Sequence, residues 1–202
     1  YCVYLGKAVQ TVNPPNGSVG ASQIADSSIA LGKLSATGTK DATTFLRGDN
    51  TFASAGGTNT PNFSAILASN FTLTQNTLVL IPFATEQWDT DNAYDNTASN
   101  YKFTIPVGKA GKYVFTAITS IGNQPSGTWN YPVLYKNGSD LNAPLSYTFG
   151  YTSATQDGFA RIGGVINTSE NDYFQIYATT SEPTNKTLAA IRCIFQMYKL
   201  IE

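Results

Sequence analysis

Of the 12 Tyr, 11 Phe and 2 Trp in this 202-residue chain, all but Tyr1, Tyr4, Phe45 and Phe52 lie beyond residue 60. A single chain cannot bury a core from so little, because ordering the backbone costs more than a few apolar side chains return. Residues 61–202, by contrast, hold ample material for one. The poor stretch is interrupted by "NPPNGS" (13–18) and "SAGGTNTP" (54–61). Its opening, "YCVYLGKAVQTV", alternates loosely as a strand, which Pro14-Pro15 stops. In "GSVGASQIADSSIALGKLSATG" the apolar Val19, Ile24, Ile29, Leu31 and Leu34 are thinly spaced among small residues. Ser28 caps a turn or two of helix through Leu34, which Gly32 weakens. Thin stripes of this kind become stable when several chains supply them side by side. The expected organisation is a fibrous linker-like segment at 1–60, which needs several chains side by side, and a globular C-terminal unit at 61–202.

Residues 61–202 repeat runs of β-branched and aromatic residues separated by turn signals, the spacing of a sandwich or jelly roll. Strands are expected at 63–67, 77–84, 100–105, 111–121, 128–136, 144–151, 157–167, 172–179 and 188–200. Asn137-Gly138 in "YKNGSD" predicts a hairpin. No stretch has helical periodicity, so the class is all-β. The longest mainly apolar run, "TLVLIPFA" (77–84), is too short to span a bilayer as a helix and reads as a buried strand, with no membrane insertion.

Charged residues make up 12% of the chain, about half the usual share of roughly 25%. Such a surface is unusually neutral or partly hidden. A net charge of −1 offers no patch to neutralise a phosphate backbone, so nucleic acid is not an expected partner. The chain contains no His, which removes the usual general base and excludes Ser-His and Cys-His nucleophile pairs. A glycosidase-type carboxylate pair remains the one catalytic route, and no enzyme is expected. Cys2 and Cys193 have neither disulfide-framework nor zinc-site spacing and read as packed or idle thiols. With no initiator Met and no signal-peptide pattern, Tyr1 is expected to lie inside a longer protein.

The densest acidic stretch is "EQWDTDNAYDN" (86–96). Asp89, Asp91 and Asp95 are candidate calcium ligands, since oxygen donors at alternating positions suit that ion. The stretch lacks the Gly and the distal Glu of a calcium loop, so a solvated loop of turn-making residues is the plainer reading, and no other cofactor is indicated. A third reading is a receptor or glycan site. Trp88, Tyr94 or Trp129 would stack on a sugar while Asp89, Asp91, Asp95 and Asn130 bond its hydroxyls. Trp129 and Asn130 come from a second turn-rich stretch, "NQPSGTWN" (123–130).

The segment "YDNTASNYKFTIPVGKAGKYVFTAITSIG" (94–122), with "LYKNGS", "ENDYFQIYAT" and the terminal "CIFQMYKL", resembles the complement globular-head family and its tumour-necrosis-factor relatives. Tyr94-Asp95 matches the family's aromatic-Asp turn, Phe103 to Pro106 its Phe-Thr-x-Pro strand, and Gly111, Tyr113 and Phe115 the opening of the next strand. Asn171 stands where the family usually has Gly. The resemblance covers about two thirds of the chain and implies a ten-stranded jelly roll assembling as a homotrimer. Some members bind calcium near the trimer apex. Tyr113, Phe115, Phe195 and Tyr198 are the interface candidates, with register deciding the face each takes.

Upstream, "SVGASQIADSSIALGKL" and "GTKDATTFLRGDNTFAS" are similar to segments of tail fibres and tail-collar-type proteins of bacterial viruses. Such segments join a trimeric shaft to a C-terminal knob. Arg47-Gly48-Asp49 sits inside this longer pattern, Phe45 to Phe52, which accounts for it without integrin binding. Gly48 would supply a tight turn, Asp49 would bond backbone amides, and Phe45, Leu46 and Phe52 would pack on sister chains. The resemblances together imply a virion protein, a tail fibre or receptor-binding protein. Its expected partners are two further copies of itself, other tail or fibre proteins, and a bacterial surface glycan or protein. The alternatives are a secreted complement-head-like recognition or signalling protein, against which the missing Gly-x-y stalk argues, and a glycan-cleaving tail protein.

Overall fold

The computed structural model describes residues 14–54, 59–141, 146–148 and 156–200. The expected opening strand, Cys2 and the Gly56-Gly57 seam lie outside them. The chain divides into two compact units, Tyr1–Gly56 and Gly57–Glu202.

In the first unit the helix expected from Ser28 is reduced to a 3-10 turn, Leu31–Lys33, and a second such turn spans Ala21–Gln23. Gly32 at the centre of the segment is the poor helix former that limits it. Strands β1 (Thr44–Leu46) and β2 (Phe52–Ser54) form an antiparallel hairpin with Arg47-Gly48-Asp49 in its connection. The Asn50 N–H donates to the Arg47 carbonyl at 3.0 Å, and the left-handed residue is Asn50, φ 60°, not Gly48. Asp49 Oδ1 accepts from the Thr51 hydroxyl at 2.6 Å and its N–H at 3.1 Å, so this carboxylate shapes the turn as expected. Gly38 cannot be replaced, because its φ is +90° and a Cβ there would collide with the Phe52 carbonyl.

The second unit is a two-sheet sandwich. The chain runs through β3 (Asn62–Ile66), β4 (Phe71–Leu73), β5 (Val79–Leu80), β6 (Thr85–Asp89), β7 (Tyr94–Asp95), β8 (Lys102–Thr104) and β9 (Gly111–Gln124). It continues through β10 (Asn130–Lys136), β11 (Ser139–Asp140), β12 (Ser146–Thr148), β13 (Gln156–Thr168), β14 (Tyr173–Thr180), β15 (Lys186–Leu188) and β16 (Ile194–Lys199). One sheet has the order β12-β13-β9-β16-β3-β6, with β15 beside β9 and β4 beside β15. The other has the order β11-β10-β14-β8-β7, with β5 beside β14. From β8 onward the chain crosses repeatedly from sheet to sheet, and every paired strand is antiparallel. This is a jelly roll, the class the sequence implies.

The hairpin at Asn137-Gly138 forms as expected: Lys136 pairs with Ser139, and both turn residues have positive φ, 52° and 81°. Two expectations change. Strand 77–84 shrinks to Val79–Leu80, because Pro82 has no N–H for a ladder, although Ile81 and Phe83 still enter the core. The acidic stretch, read as a loop, contains strand β6 and the short β7. Its alternation pairs Ser64 with Trp88 and Ala65 with Glu86, with Gln87 bulged between.

The core is built on Phe63. Its ring stacks at 4.6 Å on both Tyr94 and Phe103 of the opposite sheet and meets Phe195 edge-on at 4.9 Å. Phe63, Phe103, Tyr113, Phe115 and Phe195 are fully buried. Cys193 is a buried free thiol whose Sγ accepts the Ser120 N–H at 3.2 Å; burial pushes its pKa up to about 11 despite that bond. It is therefore inert near neutral pH. At the sheet margin Asp172 clamps the β10–β11 hairpin. It bonds Lys136 Nζ at 2.7 Å, Asn137 Nδ2 at 2.8 Å and the Ser169 N–H at 2.7 Å.

Phe63→Ala should lower unfolding stability by about 3–5 kcal/mol, read as a shifted urea midpoint at constant slope. Burial alone would raise the Asp172 pKa, but its bonds to Lys136, Ser169 and Asn137 outweigh that and hold it below its ordinary 3.8. The folded value thus lies below the unfolded one. The clamp contributes fully above the unfolded value and is lost as pH falls through the folded value. Acid unfolding should therefore be steeper in the wild type than in Asp172→Asn, with the two stability curves converging below about pH 4.

Candidate functional site

Strand β6, the turn after it, β7 and the connections β8–β9 and β13–β14 enclose a shallow concavity of about 550 Å³, a size that accommodates a small ligand. Its wall includes Glu86, Asp91, Asp95, Asn96, Lys102 and Asn171. Of the residues singled out in the sequence, Asp91, Tyr94 and Asp95 come together here. Glu86 and Asn96 of the same acidic stretch join them, as do Lys102 and Asn171, which had not been read as site residues. Asn171 sits in a turn with φ 65°, where the family pattern has Gly, and that conformation was the available signal.

The acids do not converge as a calcium site would require. Asp89 accepts the Asp91 N–H at 3.2 Å and the Tyr94 N–H at 2.7 Å. Asp91 accepts the Thr90 hydroxyl at 2.7 Å and lies 3.8 Å from Lys109 Nζ. Asp95 accepts the Thr97 hydroxyl at 2.6 Å, the Thr97 N–H at 3.0 Å and Asn100 Nδ2 at 2.7 Å. Among the described residues no cluster of three or more acids, Cys or His is gathered for a metal. The Thr97 hydroxyl and N–H are the main causes holding the Asp95 pKa below its ordinary value. The same Asp-x-Thr turn occurs at Asp41-Thr43 and Asp49-Thr51. It is a repeated local device legible in the sequence as three Asp-x-Thr triplets.

Several candidates serve the protomer instead. Tyr94 is buried, stacked on Phe63, and donates its hydroxyl to the Phe83 carbonyl at 3.0 Å. It closes the floor of the concavity and offers no ring face to a sugar. Asn130 is fully buried, accepting from Thr119 Oγ1 at 3.0 Å and donating to Gln124 Oε1 at 2.6 Å. Trp129 is half-buried with its ring 5.1 Å from Tyr131 in the other sheet, so it does not join Trp88 in one site. Trp88 is exposed on β6.

The interface candidates divide by strand parity. Tyr113, Phe115 and Phe195 point into the core, and only Tyr198 takes the opposite face. The residues between them look outward in rows. One row is Arg161, Ile118, Ile194, Ile66; the next is Gly163, Thr116, Gln196, Ser64, Trp88; the third is Val165, Val114, Tyr198, Asn62. In the first unit Phe45 and Leu46 are exposed, while Phe52 is half-buried with Lys40 Nζ 5.8 Å from its ring centre. Among the described residues no helix is long and apolar enough to cross a membrane.

No protein-family model matches the chain, and no curated protein matches it. Among solved structures it is similar to the globular domain of the zebrafish complement 1qA protein, at 17% identity and a TM-score of 0.48, over 69% of this chain and 97% of that one. It is similar to murine APRIL at pH 8.0, at 11% identity and a TM-score of 0.48, over 69% and 98% of the two chains. The PRD1 vertex protein P5 is matched at 15% identity and a TM-score of 0.47, over 70% and 96%. At identities this low the similarity concerns fold and carries no function.

Proposed function

We propose that the chain is the distal part of a homotrimeric tail fibre or receptor-binding protein of a bacterial virus. Gly57–Glu202 serves as the attachment head and the preceding residues as the end of the shaft. The reading rests first on the outer face of the β12-β13-β9-β16-β3-β6 sheet. Three rows of side chains there carry a single charge, Arg161, and leave Val165 57% and Trp88 43% exposed. A neutral, largely apolar sheet face is what an isolated protomer has no use for and what assembly covers. The exposed Val19, Ile29, Phe45 and Leu46 of the first unit suit the same explanation, because thin apolar stripes need sister chains.

Attachment is assigned to the concavity beside β6 and β7. Amides and carboxylates at its rim supply the donors and acceptors that orient a sugar or a polar peptide, and three such sites on one head gain avidity from a repetitive surface. No bond is broken in this reading; the head binds and holds. Fluorescently labelled protein should bind intact cells of a susceptible bacterium. The double variant Asn92→Gly, Asn96→Ala should lose at least about tenfold in apparent affinity. Asn92 already has φ 52°, so the glycine keeps the turn. Undiminished binding by a folded double variant would remove the concavity from the function, and shortening of purified surface glycan by the wild type would overturn the non-enzymatic assignment.

A further inference from the structure

Arg161 is the one charge in the three outward rows named above, and its surroundings are specific. The next outward position on β13 is Gly163, where a Cβ would lie 3.1 Å from the Phe115 carbonyl oxygen, 3.3 Å from Thr116 Oγ1 and 3.8 Å from Arg161 Nε. The guanidinium lies over that glycine, and Arg161 Nη2 donates to Thr116 Oγ1 at 3.2 Å. Arg161 makes no ion pair among the described residues and is exposed. A Cβ at 163 would crowd the Phe115 carbonyl and Thr116 Oγ1 and meet Arg161 Nε only in ordinary van der Waals contact.

Trp88 lies in the same transverse row as Gly163, separated from it by Thr116, Gln196 and Ser64. This places the cation toward the β13 side of the sheet and the indole at the β6 edge. Within the row Gln196 Nε2 donates to Ser64 Oγ at 3.1 Å, and Ser64 Oγ donates to Gln87 Oε1 at 2.7 Å. Ser64 Oγ, Gln196 Nε2 and Gln87 Oε1 are thus already engaged with one another when the row is covered. Among the described residues Trp88 makes no ring contact and no hydrogen bond through its indole, and it is 43% exposed. An exposed planar cation with no ion pair among the described residues and an exposed indole at the far side of the face cannot meet within one protomer. They can meet between protomers, and tryptophan is the best aromatic partner for a guanidinium.

We infer that Trp88 of one protomer stacks on Arg161 of the next, a head-to-tail cation–π contact that closes the ring. This deepens the homotrimer reading and rests on it. A heterologous contact of this kind joins two different patches and gives a closed ring when the rotation between copies divides the circle, whereas a two-fold contact would set like against like. The second copy is identified by chemistry on the face itself, since a cation and a π surface complement each other without buried ion pairs.

The full chain with Cys2→Ser, Trp88→Cys and Arg161→Cys, treated with a bismaleimide linker of about 10 Å, tests the contact, because a stacked Arg and Trp hold their Cα atoms beyond the span of a disulfide. Cys193 is buried and stays silent. The double variant should run as a covalent three-chain species on a non-reducing gel, while neither single-cysteine variant cross-links. Arg161→Ala should raise the concentration at which the assembly half-dissociates by about tenfold, with Arg161→Lys falling between. A trimer by light scattering that yields no cross-link in the double variant would overturn the contact and leave the trimer standing. Covalent dimers from Trp88→Cys alone would show a two-fold contact and overturn it too. A folded wild-type monomer at micromolar concentration would instead remove the trimer reading itself.

Discussion

The stack of Phe63 on Tyr94 and Phe103 fixes more than the contact between two sheets. Phe63 belongs to one layer and its two parallel partners to the other, so the rings set the relative position of β3 against β7 and β8. Once Phe63 points inward, strand geometry allows no freedom to its neighbours: Ser64 and Asn62 must point out. Paired strands inherit that choice. Phe195 and Phe115 face the core, and Gln196, Thr116 and Trp88 face outward. The core aromatic cluster thereby determines which side chains the protomer displays.

Much of the architecture was legible because local signals and global fold agree. The Asn137-Gly138 turn, the long strands β9 and β13 and the order of motifs all lead to the jelly roll. What escaped was decided by tertiary pairing. "EQWDTDN" has the composition of a loop, yet Glu86 and Trp88 lie beside Ala65 and Ser64, and a neighbouring strand turns a polar segment into an edge strand. Asp and Asn content announces turns but not whether a strand will claim half of them. The aromatic interface candidates failed for a related reason. Tyr113, Phe115 and Phe195 were rightly read as core-like, and a core-like residue in a long strand belongs to the protomer's own core before it belongs to a neighbour.

The candidate site was legible in part. Asp91 and Asp95 are on the wall of the concavity because β6 and β7 flank a tight turn, and a sequence window captures residues that are close along the chain. Lys102 and Asn171 come from distant segments and could not be found that way. Tyr94 illustrates the opposite error, an aromatic beside acids that reads as a ligand platform but is drawn inside by Phe63. Asn130 was drawn in likewise, as a fully satisfied member of a buried network with Thr119 and Gln124.

The Asp-x-Thr turns have a consequence for the medium in which the molecule works. Asp41, Asp49 and Asp95 each direct a carboxylate oxygen at a hydroxyl and an N–H two residues away, and the outer sheet face is organised by amides and hydroxyls. Contacts at hydrogen-bond range inside a turn are shorter than the screening length of any ordinary electrolyte, about 10 Å at 0.1 M and about 3 Å at 1 M. Dissolved ions therefore have little purchase on them. Turns held this way keep their shape as ionic strength rises, whereas contacts that depend on surface ion pairs weaken.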